Sequence, residues 1–226
     1  FLLLQNEGKI LKTRDRILLK SLELFNEQGE RSVTTNHIAS SLNISPGNLY
    51  YHFRSKEDII YEIFLRYEAS MVSALSVPDD RAVTYMDKIG YFEAIFRQLW
   101  EYRFLHRDLA HLLEESPRLR DSYRQFARKV MAQAYLVYDA LRTAQLIRAS
   151  EQDVRSMIIN IWIVTTSWAS FVMSSGFFGA EVVLSQQLLR RGIYQIICLE
   201  APYLQGEALE KLPVLLAEYK QAAEMV

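Results

Sequence analysis

The chain has 226 residues, half of them hydrophobic and under a quarter charged, with a net charge of −1. That composition excludes a disordered or collagen-like chain and is long enough for one or two domains with a sizeable core. A single cysteine, Cys198, excludes an intramolecular disulfide framework and suits a reducing compartment.

Apolar positions recur at three and four along most of the chain, without sustained strand alternation, so the fold class is all-α. The opening FLLLQNEGK carries too short an apolar run for a signal peptide and reads as a trimmed end. A first helix, TRDRILLKSLELFNEQ, puts Ile17, Leu18, Ser21, Leu24 and Phe25 on one face. Gly29 follows as the left-handed residue that ends it. Thr34 is the N-cap of a short second helix through Leu42, with Ile38, Ala39 and Leu42 inward. After a turn over residues 43–45, Ser45 caps a third helix, Pro46 opens it at N1, and it runs to about His52. Ser55 caps a fourth, with Asp58 as a variant of the capping box, continuing to about Ala74. From Lys9 to Lys56 there are eight bases against four acids, which leaves −5 on the rest of the chain. That modest asymmetry favours an anionic partner for the N-terminal part.

The third helix, PGNLYYH, is too short to be stable alone and carries three rings near its end. Successive residues turn about 100° on a helix. With Pro46 at zero, Leu49 and Phe53 share one face and anchor it to a core. Tyr51 sits at the centre of the opposite face, with Gly47 and Asn48 beside it, and Tyr50 and His52 lie on the flanks. That face suits the DNA major groove, about 12 Å wide, which admits one helix. Gly47 permits close backbone approach, Asn48 can pair with base edges, and tyrosine hydroxyls and a histidine N–H can donate to phosphates. Thr35 and Lys56 open the flanking helices, where each could hold a further phosphate. A helix, a tight turn and a second helix with such a face make a helix-turn-helix.

The stretch VTTNHIASSLNISPGNLYYHFRSKEDII closely resembles the DNA-binding segment of TetR-family transcriptional regulators. The resemblance rests on TT-x-x-IA, on S-x-G-x-LYYHF-x-SKE and on a first helix ending LF-x-x-x-G, and it covers about Thr13 to Ile60. It implies a two-domain homodimer whose N-terminal three helices bind a palindrome in double-stranded DNA. A variable C-terminal domain would bind a small effector that changes DNA affinity. The family's DNA contacts carry over onto Thr35, Gly47, Tyr50, Tyr51, His52 and Lys56. Many members have a polar residue before the glycine, where this chain has Pro46, which shifts weight to Asn48 and Tyr51. The expected domains are 1–56, with an N-terminal arm, and 57–226, joined by the fourth helix over 56–74.

Beyond the break at Pro78-Asp79-Asp80, five or six longer helices are expected, at about Arg81–Phe104, Arg107–Glu115, Arg118–Leu146, Gln152–Ser175, Val182–Tyr203 and Glu207–Glu224. The run from Ser156 to Ala180 has no charge and is long enough to cross a membrane. Beside a DNA-reading head it reads instead as a buried core or subunit-interface helix, with Asn160, Ser167, Ser170 and Ser174 as a small, polar stripe. By the resemblance, it and the following helix form the dimer interface. That following helix contains YQIICLEA, where Cys198 reads as a buried, inert thiol. Aromatic residues recur at helical spacing on three helices, which is first of all a core pattern. A pocket among them would be apolar with aromatic walls. The candidates for its lining are Phe92, Phe96, Trp100, Tyr123, Tyr135 and Trp162, and the expected effector is hydrophobic or aromatic. No nucleophile–base motif, HExxH or Gly-rich phosphate loop occurs, so no enzyme is expected. Neither His37 with His52 nor His106 with His111 makes a metal site, and no cofactor is expected. The resulting expectation is a cytoplasmic, ligand-responsive repressor, with an activator or a ligand-independent DNA-organising protein of the same fold as the alternative.

Overall fold

The structure, a computed structural model, describes residues 11–179 and 181–224. The expected N-terminal arm within residues 1–10 lies outside the described residues, as does Ala180. Among the described residues the chain is helical, with no strand beyond an isolated bridge between Ile147 and Leu204. It divides into two compact units between Arg66 and Tyr67, inside the fourth helix. The division thus falls ten residues beyond the expected boundary at 56/57 and before Pro78.

The first unit holds α1 (Thr13–Gln28), α2 (Thr35–Ser41), α3 (Pro46–His52) and the start of α4 (Lys56–Ala74). The expected face of α1 is buried. Ser21 is tolerated there because its hydroxyl donates back to the Ile17 carbonyl at 2.7 Å. Gly29 ends α1 with φ 88°, a conformation that costs a side-chain-bearing residue strain. At the start of α2, the Thr34 hydroxyl accepts from the His37 N–H at 3.2 Å, and His37 Nδ1 accepts from the Thr34 N–H at 3.4 Å. His37 therefore completes a capping box, a structural task. Ion pairs Arg14–Glu62 and Asp15–Arg66 tie α1 to α4. The core joins Ile17, Phe25, Ile38, Leu49 and Ile59, all fully buried. Each such side chain contributes roughly 1.5–3 kcal/mol by leaving water.

The second unit adds α5 (Tyr85–Glu101), α6 (Arg103–Arg107), α7 (Leu109–Glu115), α8 (Pro117–Thr143), α9 (Glu151–Ser174), α10 (Gln186–Glu200) and α11 (Gly206–Glu224). Several boundaries differ from expectation: α8 ends at Thr143 rather than Leu146, α10 begins at Gln186 rather than Val182 because Ser185 caps it, and the expected helix from Arg81 to Phe104 differs at both ends. First, α5 begins at Tyr85 rather than Arg81, because Thr84 caps it in a box with Asp87. Arg81, in the preceding extended segment, pairs with the same Asp87 carboxylate, and that bond holds Asp87 well below its ordinary value. Second, the expected helix to Phe104 breaks at Tyr102, with φ −110° and ψ 33°, and a separate α6 follows.

Helix α10 turns Leu189, Ile193, Ile196, Ile197 and Glu200 inward. Cys198 falls on the opposite side and is exposed, which corrects the expectation of a buried thiol. Gly192 allows α10 to approach α5, with the Phe96 ring directly over it. Trp168 on α9 donates its indole N–H to the Leu188 carbonyl at 2.9 Å. The polar stripe Asn160, Ser167, Ser170 and Ser174 is exposed on α9, together with Ile159 and Ile163, which are 51% and 53% exposed. Helix α9 is therefore not a fully buried core helix.

Candidate nucleic-acid interface and effector cavity

The geometry of α3 follows from its local sequence. Ser45 accepts from the Asn48 N–H at 3.1 Å and Pro46 occupies the first helical position, so the start is fixed within one turn. Leu49 and Phe53 are 0% and 3% exposed and hold the helix down. Tyr51, on the opposite face, is 85% exposed. Gly47 and Asn48 are exposed beside it. His52 is half-buried and packs edge-on against the Tyr51 ring at 5.1 Å.

The flanking residues are tied more closely than their spacing suggested. The hydroxyls of Tyr50 and Thr35 share a hydrogen bond of 3.0 Å, joining α3 to the first residue of α2. Two hydroxyls held together on one surface form a single preorganised polar point. Lys56 is placed differently: its ammonium pairs with the Glu30 carboxylate at 2.6 Å and donates to the Glu30 carbonyl at 3.1 Å. In the free protein Lys56 therefore clamps the start of α4 to the turn after α1. The periodicity of α3 could not show either bond, because each joins residues from different elements.

The second unit encloses a cavity of about 80 Å³ between α4, α5, α8 and α9. That is room for roughly half a dozen waters at about 10–15 Å³ each. Phe92, Tyr123 and Trp162 line it, as expected from sequence. Phe96, Trp100 and Tyr135 do not line it. Phe96 is packed against Gly192, Trp100 lies under the Arg103 guanidinium at 4.4 Å, and Tyr135 lies under that of Arg155. A helical stripe is wider than one cavity, so its members divide between the cavity, the helix contacts and the surface.

Lys88 and Glu200 do not stand out in the sequence as site residues, and Tyr138 reads there only as one of the aromatic residues on its helix. Lys88 and Glu200, 2% and 0% exposed, form an ion pair of 2.5 Å. Tyr138 donates its hydroxyl to the other Glu200 oxygen. Lys88 and Tyr138 face the cavity. The available signal was a lysine on the apolar stripe of α5, three residues after Tyr85 and four before Phe92. Burial pushes the Tyr123 hydroxyl up to about 12. Burial, then the Glu200 carboxylate, raises Tyr138 well above its ordinary value. Both remain neutral donors at physiological pH. Behind the cavity wall, His106 Nε2 shares a hydrogen bond of 3.1 Å with the hydroxyl of Tyr67. Burial lowers His106 to about 4, so its ring is neutral. No cluster of three His, Cys, Asp or Glu able to hold a metal occurs among the described residues.

Comparison with known proteins is consistent with this geometry. Residues 17–63 match the family described as bacterial regulatory proteins, tetR family, and residues 66–212 match that described as bacterial transcriptional repressor. A crystal structure of a TetR-family transcriptional regulator from Marinobacter aquaeolei VT8 is 46% identical, with a TM-score of 0.84 over 92% of this chain and 99% of that one. The transcriptional regulator TcmR of Streptomyces glaucescens is 26% identical over 52% of this chain and 54% of its own. The regulator UidR of Escherichia coli K12 is 48% identical over 24% of this chain and 28% of its own, a span of 54 residues. The chain thus spans about half, or less, of the curated relatives it matches.

Proposed function

The chain belongs to the TetR family of bacterial transcriptional regulators, and we propose that it is a cytoplasmic, ligand-responsive repressor. It binds a palindromic operator as a homodimer through α3. It releases that operator when a small hydrophobic or aromatic effector occupies the cavity of the second unit. The observation that carries the DNA half is Tyr51, 85% exposed on a seven-residue helix that is anchored by buried Leu49 and, at its C-cap, Phe53. Beyond its edge contact with His52, a ring so displayed is open to a partner from outside the chain.

Gly47 supports the same reading. A Cβ there would meet only the Ser45 hydroxyl, at 3.9 Å, so nothing inside the protein forbids a side chain. The room is needed by what approaches from outside. Gly47 lets the backbone close on the duplex, Asn48 and Tyr51 read base edges, and the Thr35–Tyr50 pair and His52 donate to phosphates. Pro46 offers no donor and sets the direction of the helix. Lys56 adds charge by exchanging Glu30 for a phosphate or acts by holding α4 in register.

A twofold dimer would set two copies of α3 about 34 Å apart, one turn of DNA. The outward face of α9, with Ile159, Ile163 and its polar stripe, is the surface for the second copy. An effector then acts by binding one dimer geometry better than the other. The test of the DNA half is fluorescence anisotropy with labelled duplexes chosen by the wild type from a random pool. Tyr51→Ala should weaken specific binding at least tenfold while leaving the thermal transition unchanged. Undiminished binding would remove Tyr51 from the interface.

A further inference from the structure

The cavity is walled mainly by apolar and aromatic side chains, and Lys88 is the one charged residue among the described ones that line it, placed there at a cost. Taking a lysine and a glutamate out of water is expensive, and a well-packed apolar pair is often as stable. Yet Lys88 and Glu200 are both buried, 112 residues apart in sequence, and paired at 2.5 Å. Glu200 is fully engaged: one oxygen takes Lys88 and the other takes the Tyr138 hydroxyl. Lys88 is not. An ammonium has three N–H donors. One goes to Glu200, the Phe92 ring centroid lies 4.8 Å away, and Lys88 is among the residues that line the cavity.

We propose that Lys88 is the specificity-determining residue for the effector, and that it selects a neutral, largely aromatic molecule bearing one oxygen acceptor, such as a ketone, ester or amide carbonyl. This rests on the reading of the cavity as the effector site. The choice of a neutral acceptor follows from charge balance. Lys88 is already neutralised by Glu200, so a carbonyl can take a spare N–H without disturbing the pair. A carboxylate would place a second negative charge beside Glu200 in a water-poor site, and like charges at such range repel strongly. A hydrocarbon of the same shape would leave the spare Lys88 donor without a partner.

Three probes of nearly equal size separate these cases: acetophenone, ethylbenzene and benzoate, titrated by calorimetry at pH 7.5 into the full-length protein. Acetophenone should bind at least tenfold more tightly than either of the others. In Glu200→Gln the lysine keeps a hydrogen-bond acceptor but loses its counter-charge, so benzoate should gain at least tenfold and overtake acetophenone. Lys88→Met combined with Glu200→Leu and Tyr138→Phe removes the buried polar group as a unit and should bring acetophenone and ethylbenzene to equal affinity. Because the second test is a gain of binding, loss of fold cannot mimic it. If all three probes bind the wild type equally, or benzoate leads, Lys88 does not select the effector while the cavity remains its site. If none binds, the cavity is not an effector site and the inference falls with it.

Discussion

Replacing Gly192 by alanine tests the packing that joins α10 to α5. A Cβ at that position would lie 2.5 and 2.6 Å from Phe96 Cε1 and Cζ, and 3.1 Å from Trp168 Cδ1. Carbon atoms in ordinary contact sit about 3.5–4.0 Å apart. Phe96 is 1% exposed, so its ring cannot swing out into solvent. Trp168 is pinned by its bond to the Leu188 carbonyl. The helices must therefore part by about 1 Å, an overpacking that costs about 1–3 kcal/mol. The better helix propensity of alanine returns up to about 1 kcal/mol. The expected net loss is about 0–2 kcal/mol, or up to roughly 8 °C in Tm for a chain of this size. Urea unfolding followed by tryptophan fluorescence and circular dichroism measures it. Combining Gly192→Ala with Phe96→Leu should cost at least about 0.5 kcal/mol less than the sum of the two single changes, because the methyl occupies space that the ring vacated. A stabilising Gly192→Ala, or one additive with Phe96→Leu, would refute the close approach.

Three further outcomes are expected. Tyr50→Phe and Thr35→Ala each break the exposed 3.0 Å bond, so folding should change by no more than about 0.5 kcal/mol. Operator affinity should fall about five- to tenfold in each, and the double variant should lose no more than the worse single one in an anisotropy titration. His106 has a folded value of about 4, below its ordinary 6.5. The unfolded chain therefore binds the extra proton between those limits. His106 stabilises the fold above pH 6.5, and this contribution is lost as pH falls towards 4, by about 2 kcal/mol at pH 5. Unfolding at pH 7.5 and 5.0 should show that drop in the wild type and a smaller one in His106→Gln, which keeps a partner for Tyr67. Finally, Ile163→Asp on the outward face of α9 should convert a two-chain particle into a monomer in multi-angle light scattering, with helicity unchanged. A dimer that survives the substitution would place the interface elsewhere.

Local signals carried the DNA-reading unit. Its caps, Thr34 and Ser45, its terminator Gly29 and its N1 proline are contiguous with the elements they define, and α3 occurs over the residues its wheel required. The wheel also separated Leu49 and Phe53 from Tyr51 correctly, because 3.6-residue periodicity is a property of neighbours in sequence. The second unit was legible as helices but not as a site. Thr84 and Asp87 form a capping box of residues close in sequence, a local signal that starts α5 at Tyr85 rather than Arg81. The break at Tyr102 has no glycine or proline to mark it. The division of the aromatic stripe among cavity, helix contact and surface depends on which helices cross where. The pairing of Lys88 with Glu200 depends on the same crossing, since no local rule relates residues 112 positions apart.

The central claim is that two copies of α3 read one twofold DNA site. Selection of duplexes from a random pool, by the wild type and by Tyr51→Ala in parallel, tests it most directly. The wild type should enrich an inverted repeat whose half-sites are centred about 10 base pairs, or a small multiple of that, apart. Tyr51→Ala should enrich no motif or one degenerate at the positions nearest each half-site centre. Enrichment of a single asymmetric site, or of the same repeat by both proteins, would contradict it.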